Sequence, residues 1–182
     1  MRLTVYTDYT LRVMMYLAVK QPQGGMATID EIATAYDISR AHLMKIVHEL
    51  GQHGFIETTR GRAGGMRLAR PPQEISVGDL VRMTEKDFAV VPCHDPDVDA
   101  HCAILPACNL KRVLRRAVDA FMQELDKVTL QDTVTNHSVA APLLRLSTAG
   151  GAIPLVVVTG PPRNRKPGRS QRGKSAGRRS GV

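Results

Sequence analysis

The three cysteines of this 182-residue chain, Cys93, Cys102 and Cys108, all lie within one short segment. A thiolate is a soft metal ligand, so three of them on one loop are able to converge on a single metal centre. The segment has no fourth cysteine. A complete site must therefore take a ligand from elsewhere or leave one coordination position open. Pro106 marks the expected start of a helix and places Cys108 in its first turn, where the helix dipole favours thiolate.

The cysteine count and the N-terminal residues indicate a cytoplasmic protein. Three is an odd number of cysteines, and no signal peptide is visible. The apolar stretch 11–19 contains Arg12 and is too short to cross a membrane. In a reducing cytosol, clustered cysteines are more often metal ligands or redox sensors than structural disulfides. We therefore expect a metal or redox role and no membrane partner.

The net charge of +8 arises in the C-terminal residues 161–182, which hold eight lysines and arginines and no acid. The other 160 residues hold 17 basic and 17 acidic side chains. The basic excess therefore belongs to a tail, which either adds non-specific phosphate affinity or has no role; we favour the second. A DNA-binding hypothesis must depend on local charge elsewhere in the chain.

Two short helices joined by a tight turn are predicted near residues 28–50. Thr28 and Glu31 form a capping-box pattern, and Ser39 is placed to cap the next helix. That helix carries apolar residues at helical spacing: Leu43, Ile46, Val47 and Leu50. The outward side chains are Arg40, His42 and Lys45, as a DNA-reading helix requires. The pattern favours a helix-turn-helix over a generic amphipathic core helix.

A basic, glycine-rich loop at residues 60–65, which we term the wing, follows at once. Residues 55–59 and 66–68 read as the two strands of a hairpin on either side of it. Glycines permit tight backbone geometry, and arginines reach phosphates or a minor groove. The residues that we assign to DNA are Thr28, Ser39, Arg40, His42, Lys45, Arg60, Arg62, Gly64 and Gly65.

A long helix is expected over about residues 107–128. Its apolar positions repeat at close to 3.5 residues, which suits pairing with a second copy of the chain: Leu110, Val113, Leu114, Ala117, Phe121, Leu125 and Val128. The alternative is packing against its own domain. We favour a homodimer, whose two-fold symmetry would match a palindromic operator in double-stranded DNA.

The predicted fold is mainly α with a small β-hairpin wing, in which a winged helix-turn-helix domain is followed by a long dimerisation helix. The DNA-binding domain covers residues 1–86, and its last helix is capped by Ser76. The cysteine loop covers 87–109 and the dimerisation helix 107–135. Residues 136–182 are expected to form a disordered basic tail.

Residues 1–12, the helix at 38–45, the wing and the three-cysteine loop resemble the NsrR group of nitric-oxide-sensing repressors. This group belongs to the Rrf-type winged-helix iron–sulfur regulators, and the resemblance covers about residues 1–135. It implies a homodimeric repressor that binds DNA when each subunit holds an iron–sulfur cluster. It also implies that DNA affinity is lost when nitric oxide reacts with the cluster.

The resemblance also implies a ligand set. Cys93, Cys102 and Cys108 match the cysteine ligands, and Asp8 matches an acidic residue that supplies the fourth ligand from the partner subunit. Arg12 lies one helical turn after Asp8, where it would orient the carboxylate. Asp8 at a helix start is also explained by the helix dipole alone. His101 is a rival ligand because a sister regulator uses three cysteines and a histidine.

Several alternatives stay open. A [4Fe–4S] cluster is favoured, but the eight residues between Cys93 and Cys102 also allow [2Fe–2S]. The signal is either nitric oxide or the status of iron or of the cluster itself. The loop would also suit a structural zinc site with three cysteines and a histidine. An enzyme with a nucleophilic cysteine and His94 or His101 as base is disfavoured, because the remaining sequence reads as a DNA reader and a dimer helix.

Overall fold

Six α-helices and one β-hairpin make up the part of the chain that the computed structural model describes, namely residues 2–62, 64–95, 97–99 and 101–146. The helices are α1 (Val5–Lys20), α2 (Ile29–Tyr36), α3 (Arg40–Gln52), α4 (Val77–Thr84), α5 (Asn109–Asp126) and α6 (His137–Leu143). The strands are β1 (Ile56–Thr59) and β2 (Gly65–Leu68). The predicted class, mainly α with a β-hairpin wing, is confirmed.

Helix α1 lies at the centre of the core. Its side chains Val13, Met14 and Leu17 are buried, and they belong to one apolar cluster with the inner face of α3. That inner face is formed by the residues predicted from the helical spacing: Leu43, Ile46, Val47 and Leu50. Each fully buried aliphatic side chain stabilises the fold by about 1.5–3 kcal/mol. Helix α3, which the sequence predicts to contact DNA, is therefore fixed against α1. Movement of either helix affects the position of the other.

Two threonines at the start of α1 have different roles. Thr4 caps the helix by accepting a hydrogen bond from the Thr7 amide at 3.2 Å. Thr7 lies inside the helix and is completely buried. Its hydroxyl bonds Thr84 and Glu85 at the end of α4. The long-range partners, which the local pattern does not contain, explain why a threonine is needed there.

The helix-turn-helix is formed by α2 and α3. The capping box of Thr28 and Glu31 is present at the start of α2, and Ser39 caps α3. Between the helices, Asp37 takes the left-handed conformation with φ 54°, which reverses the chain in a short turn. These local signals were predicted correctly from the sequence.

The two strands of the hairpin pair antiparallel, with Ile56 opposite Leu68 and Thr59 opposite Gly65. A further bridge joins Ala27 to Met66 through two backbone hydrogen bonds of 2.9 and 2.7 Å. The hairpin is therefore attached to the segment that precedes α2. This attachment holds the wing beside the helix-turn-helix.

Helix α5 begins and ends two residues inside the predicted range of 107–128. Cys108 is its N-cap residue and not part of its first turn, because a 3-10 turn over Leu105–Ala107 precedes it. Of the α5 side chains, only Met122 is buried in the described chain. Leu110 and Val113 remain 61% and 40% exposed. An apolar face of α5 is thus left without a covering element in the described part of the protomer.

The expectation of disorder from residue 136 onward needs correction for its first part. Residues His137–Leu143 form α6, in which Ala141 is completely buried, and Leu146 after it is buried too. A ring nitrogen of His137 bonds the Val19 carbonyl at the end of α1. These contacts with a distant helix compensate for the weak local pattern. The remainder of the predicted tail, 147–182, lies outside the described residues. No helix in the described part of the chain is long and apolar enough to cross a membrane.

Candidate nucleic-acid interface and metal centre

The first two turns of α3 present three of the side chains that the sequence assigned to DNA. Arg40, His42 and Lys45 are all exposed. Arg40 Nη1 lies 2.9 Å from the Asp30 carboxylate in the first turn of α2, and both side chains are largely exposed. No ion pair is found for Lys45 within the described residues. The two cations therefore differ: one is held by an acid and the other is free to meet a phosphate.

His42 is held by two neighbours. Ser39 Oγ accepts the His42 backbone N–H, and it lies 2.9 Å from His42 Nδ1. This contact fixes the orientation of the imidazole ring and leaves Nε2 free of a partner in the described residues. The ring also meets Tyr9 of α1, with ring centroids 5.9 Å apart. His42 is thus an exposed side chain held in a supported position on α3.

The wing carries Arg60 and Arg62 at its exposed tip. Gly61 has a φ of 109°, a conformation that favours glycine. A Cβ on Gly65 would lie 2.6 Å from the Ala27 carbonyl oxygen, and one on Gly64 would overlap the Thr59 carbonyl oxygen. The absence of a side chain at Gly64 and Gly65 is therefore required by the packing of the hairpin itself. Their assignment to DNA stays a prediction.

The three cysteines occupy different kinds of local structure. Cys93 lies in a 3-10 turn over Pro92–His94, Cys102 in an exposed irregular stretch, and Cys108 at the N-cap of α5. All three are free thiols, and Cys93 and Cys108 are half-buried. Within the described residues, no group of three His, Cys, Asp or Glu side chains is close enough to hold a metal ion. His101 is exposed and bonds the backbone of Asp99, whereas His94 Nε2 contacts the Lys111 carbonyl at 3.0 Å.

Asp8 and Arg12 form an ion pair on the surface of α1. Arg12 Nε donates to Asp8 Oδ2 at 2.9 Å, so the pairing expected from helical spacing is present. The guanidinium carbon also lies 5.8 Å from the centre of the Tyr36 ring at the end of α2. Burial raises the pKa of Tyr36, and the nearby Arg12 charge partly opposes this rise. Arg12 thus connects the Asp8 carboxylate with the helix-turn-helix.

Glu85 is a site residue that the sequence did not reveal. One of its carboxylate oxygens accepts the Thr4 backbone N–H at 2.7 Å and the Thr7 hydroxyl. Glu85 is the C-cap of α4, immediately before the cysteine loop. Glu85 therefore attaches the start of the cysteine loop to the first turn of α1, which carries Asp8. No local signal could have identified it, because Thr4 and Glu85 are 81 residues apart.

The helix-turn-helix, its basic wing and the exposed α3 side chains together define a winged-helix DNA-binding protein. A family model described as Rrf2, iron-dependent transcriptional regulator, matches residues 3–136. The chain belongs to the Rrf2 family of transcriptional regulators, and it is not an enzyme. The eight basic residues of the C-terminal part lie outside the matched range.

Proteins of similar sequence indicate which members of the Rrf2 family this chain resembles. The chain is similar to the HTH-type transcriptional regulator NsrR of Bacillus subtilis, with 47% identity over 146 residues, covering 80% of this chain and 99% of the relative. The protein of the same name from Bacillus licheniformis is 45% identical over 144 residues, with coverages of 79% and 99%. This chain is therefore an NsrR-like member of the Rrf2 family.

Solved structures agree on the fold. The global cysteine regulator CymR of B. subtilis superposes with a TM-score of 0.61 at 27% identity, covering 74% of this chain and 97% of that chain. IscR from T. potens gives a TM-score of 0.59 at 24% identity, with coverages of 77% and 90%, which supports the fold alone.

Proposed function

We propose that this chain is a homodimeric transcriptional repressor that senses nitric oxide through an iron–sulfur cluster in its cysteine loop. One observation supports this proposal above others: an NsrR-like chain contains both a winged-helix domain and three free cysteines in one loop. Nitric oxide would lower the affinity of the dimer for a palindromic operator. A [4Fe–4S] cluster is favoured over [2Fe–2S].

The donor set suits an iron–sulfur cluster. Cys93, Cys102 and Cys108 are accessible or half-buried thiols with no disulfide between them, and cysteine thiolates are the usual ligands of such clusters. Arg12 bonds only one oxygen of Asp8, which leaves Asp8 Oδ1 for the partner subunit's cluster. When bound, the cluster would supply iron atoms that bind nitric oxide. The oxygen ligand would be the weakest of the four.

Contacts along α1 support a route from the cluster to DNA. The first turn of α1 carries Asp8 and is fastened to the root of the cysteine loop by Glu85. The next residue, Tyr9, packs against His42 in the first turn of α3. A shift of this α1 turn therefore changes the support of a DNA-facing side chain. Such a shift would couple cluster binding to DNA binding, because both would favour the same arrangement of the dimer.

An iron- or cluster-status regulator of the same fold is the second candidate. The matching family model is described as iron-dependent, and the exposed His101 next to Cys102 offers a nitrogen ligand in place of Asp8. The two candidates differ in the fourth ligand and in the signal. Replacing Asp8 and His101 separately by alanine distinguishes them: the visible spectrum of the reconstituted protein changes with the variant that loses a ligand.

The proposed function is tested by a matched pair of variants. Cys102→Ala should abolish both the visible absorption of the cluster and specific operator binding. Lys45→Ala should leave the spectrum unchanged while it weakens DNA binding, because Lys45 faces away from the core. Both are measured by anaerobic absorption spectroscopy and by fluorescence anisotropy with operator DNA. If Cys102→Ala binds the operator as the wild type does, the cluster is not required for binding and the proposal is wrong.

A further inference from the structure

We propose that Asp30 is a specificity-determining residue that reserves Arg40 for the edge of a guanine base. This inference rests on the proposed DNA-binding function and extends it to one base pair of each operator half-site. It starts from the ion pair between Arg40 Nη1 and the Asp30 carboxylate at 2.9 Å, which joins the first turns of α2 and α3.

Asp30 is the acid in this turn that is available to Arg40. The first turn of α2 contains one other acid, Glu31, whose carboxylate is already engaged by the Thr28 backbone N–H at 2.6 Å and by Lys20 at 2.6 Å. Burial acts to raise the pKa of Glu31, but the hydrogen bonds from Lys20 and Thr28 outweigh it and lower the pKa. Glu31 is thus an ionised capping residue of α2, while Asp30 pairs with Arg40 of α3.

The ion pair leaves the Nε and Nη2 side of the Arg40 guanidinium without a partner in the described residues. A guanidinium group has five N–H donors, and the Asp30 carboxylate lies against the Nη1 end alone. The donors of Nε and Nη2 remain for a bidentate contact, and the commonest specific contact of arginine is with guanine O6 and N7. Both side chains are exposed, at 68% for Arg40 and 64% for Asp30, so the pair is accessible to a DNA groove.

The negative charge of Asp30 discriminates between the two kinds of DNA contact. A phosphate that approached Arg40 would also approach the carboxylate and be repelled by it, whereas a guanine edge carries only partial charges. The acid also restricts the rotamers of Arg40 before binding, which lowers the entropy lost on base contact. Lys45 has no such acid among the described residues, so its contact with DNA is of the general phosphate type.

The test is selection of binding sites from a random duplex library with the full-length, cluster-loaded protein, followed by anisotropy titrations. The wild type should recover a two-fold motif with a guanine in each half-site. Arg40→Ala should lose that guanine, and Asp30→Asn should weaken the preference at the same position. Asp30→Asn should also bind a random duplex about two- to five-fold more tightly, the factor that corresponds to one exposed ion pair.

Two controls separate this role from others. Asp30→Glu should restore the guanine preference, and Lys45→Ala should lower the affinity while keeping the motif. In an Arg40→Ala background, Asp30→Asn should have no further effect on the preference. The inference would be overturned if Asp30→Asn selected an unchanged motif. It would also be overturned if Arg40→Ala kept the guanine preference. Recovery of no motif by the wild type would instead contradict the proposed DNA-binding function itself.

Discussion

Two threonines of α1, Thr7 and Thr10, are almost completely buried, yet their hydroxyl groups are in different situations. Thr7 Oγ1 is bonded by Thr4, Thr84 and Glu85. Thr10 Oγ1 has no hydrogen-bond partner in the described chain. A buried hydroxyl without a partner costs free energy, whereas removing one member of a bonded set leaves its partners unsatisfied.

We therefore expect opposite results from the same substitution. Thr10→Val should raise the free energy of unfolding by about 1 kcal/mol, because it removes an unpaired polar atom. Thr7→Val should lower it by about 1–3 kcal/mol, because Glu85 then loses a donor. Urea unfolding followed by circular dichroism measures both values. Destabilisation by Thr10→Val would show that its hydroxyl has a partner in solution.

At the scale of elements, α4 and α5 are held together by Arg82 and Asp126. The guanidinium donates two hydrogen bonds of 2.6 Å to the carboxylate. This contact is close because Gly78 has no side chain: a Cβ there would overlap the Asp126 carboxylate. The hydrogen bonds from Arg82 lower the pKa of Asp126. The cysteine loop follows α4 directly, so the contact stabilises the helix from which that loop starts.

Gly78→Ala should displace the ends of the Asp126 and Arg82 side chains and weaken their ion pair, so this variant should be less stable than one with the same change at an open helix position. Gly51→Ala is the matched control, since Gly51 also lies in a helix but its added Cβ would meet nothing within 4 Å. That variant should gain about 0.5–1 kcal/mol from the lower entropy of the unfolded chain. Thermal unfolding of both variants gives the comparison. Equal stability changes would argue against the close packing at Gly78.

The pH dependence gives a second check on this contact. A lowered pKa means that the stabilisation from the ion pair is present above the ordinary pKa of an aspartate and is lost as the pH falls through the lowered value. The deficit of Gly78→Ala relative to Gly51→Ala should therefore become smaller in acid.

Local elements were predictable, and those that depend on distant partners were not. Thr28, Ser39 and Ser76 act as caps as the sequence indicated, because a cap bonds an amide two or three residues away. Helix α6 was missed because its stability depends on a contact between His137 and Val19, 118 residues apart. The site follows the same rule. The exposure of the α3 side chains follows from helical spacing, and the ligand role of the cysteines stays a prediction. The contact of Glu85 with α1 could be found only from the fold.

At the scale of the whole molecule, the apolar face of α5 argues for a second copy of the chain. Leu110 and Val113 are exposed in the protomer although the helical spacing places them in one stripe. Within one protomer the cysteines do not converge with other ligands among the described residues. In the proposed homodimer, the partner subunit would cover the exposed α5 side chains and would supply Asp8 as the fourth ligand.

Leu110→Asp should therefore convert the dimer to a monomer, because an unpaired charge would be buried at the interface. Leu143→Asp in α6 is the control: its side chain is 57% exposed, similar to the 61% of Leu110, but lies outside the predicted interface. Light scattering after size-exclusion chromatography gives the mass of each. A Leu110→Asp protein that keeps the wild-type mass would place the interface elsewhere.

The most direct test of the central claim is one anaerobic titration of the purified protein with nitric oxide. Visible absorption, iron content and sulfide content are recorded together with operator binding at each addition. We predict visible iron–sulfur absorption that is bleached in step with the loss of DNA affinity. A colourless protein that binds zinc after reconstitution, or a cluster whose bleaching leaves operator binding unchanged, would contradict the account.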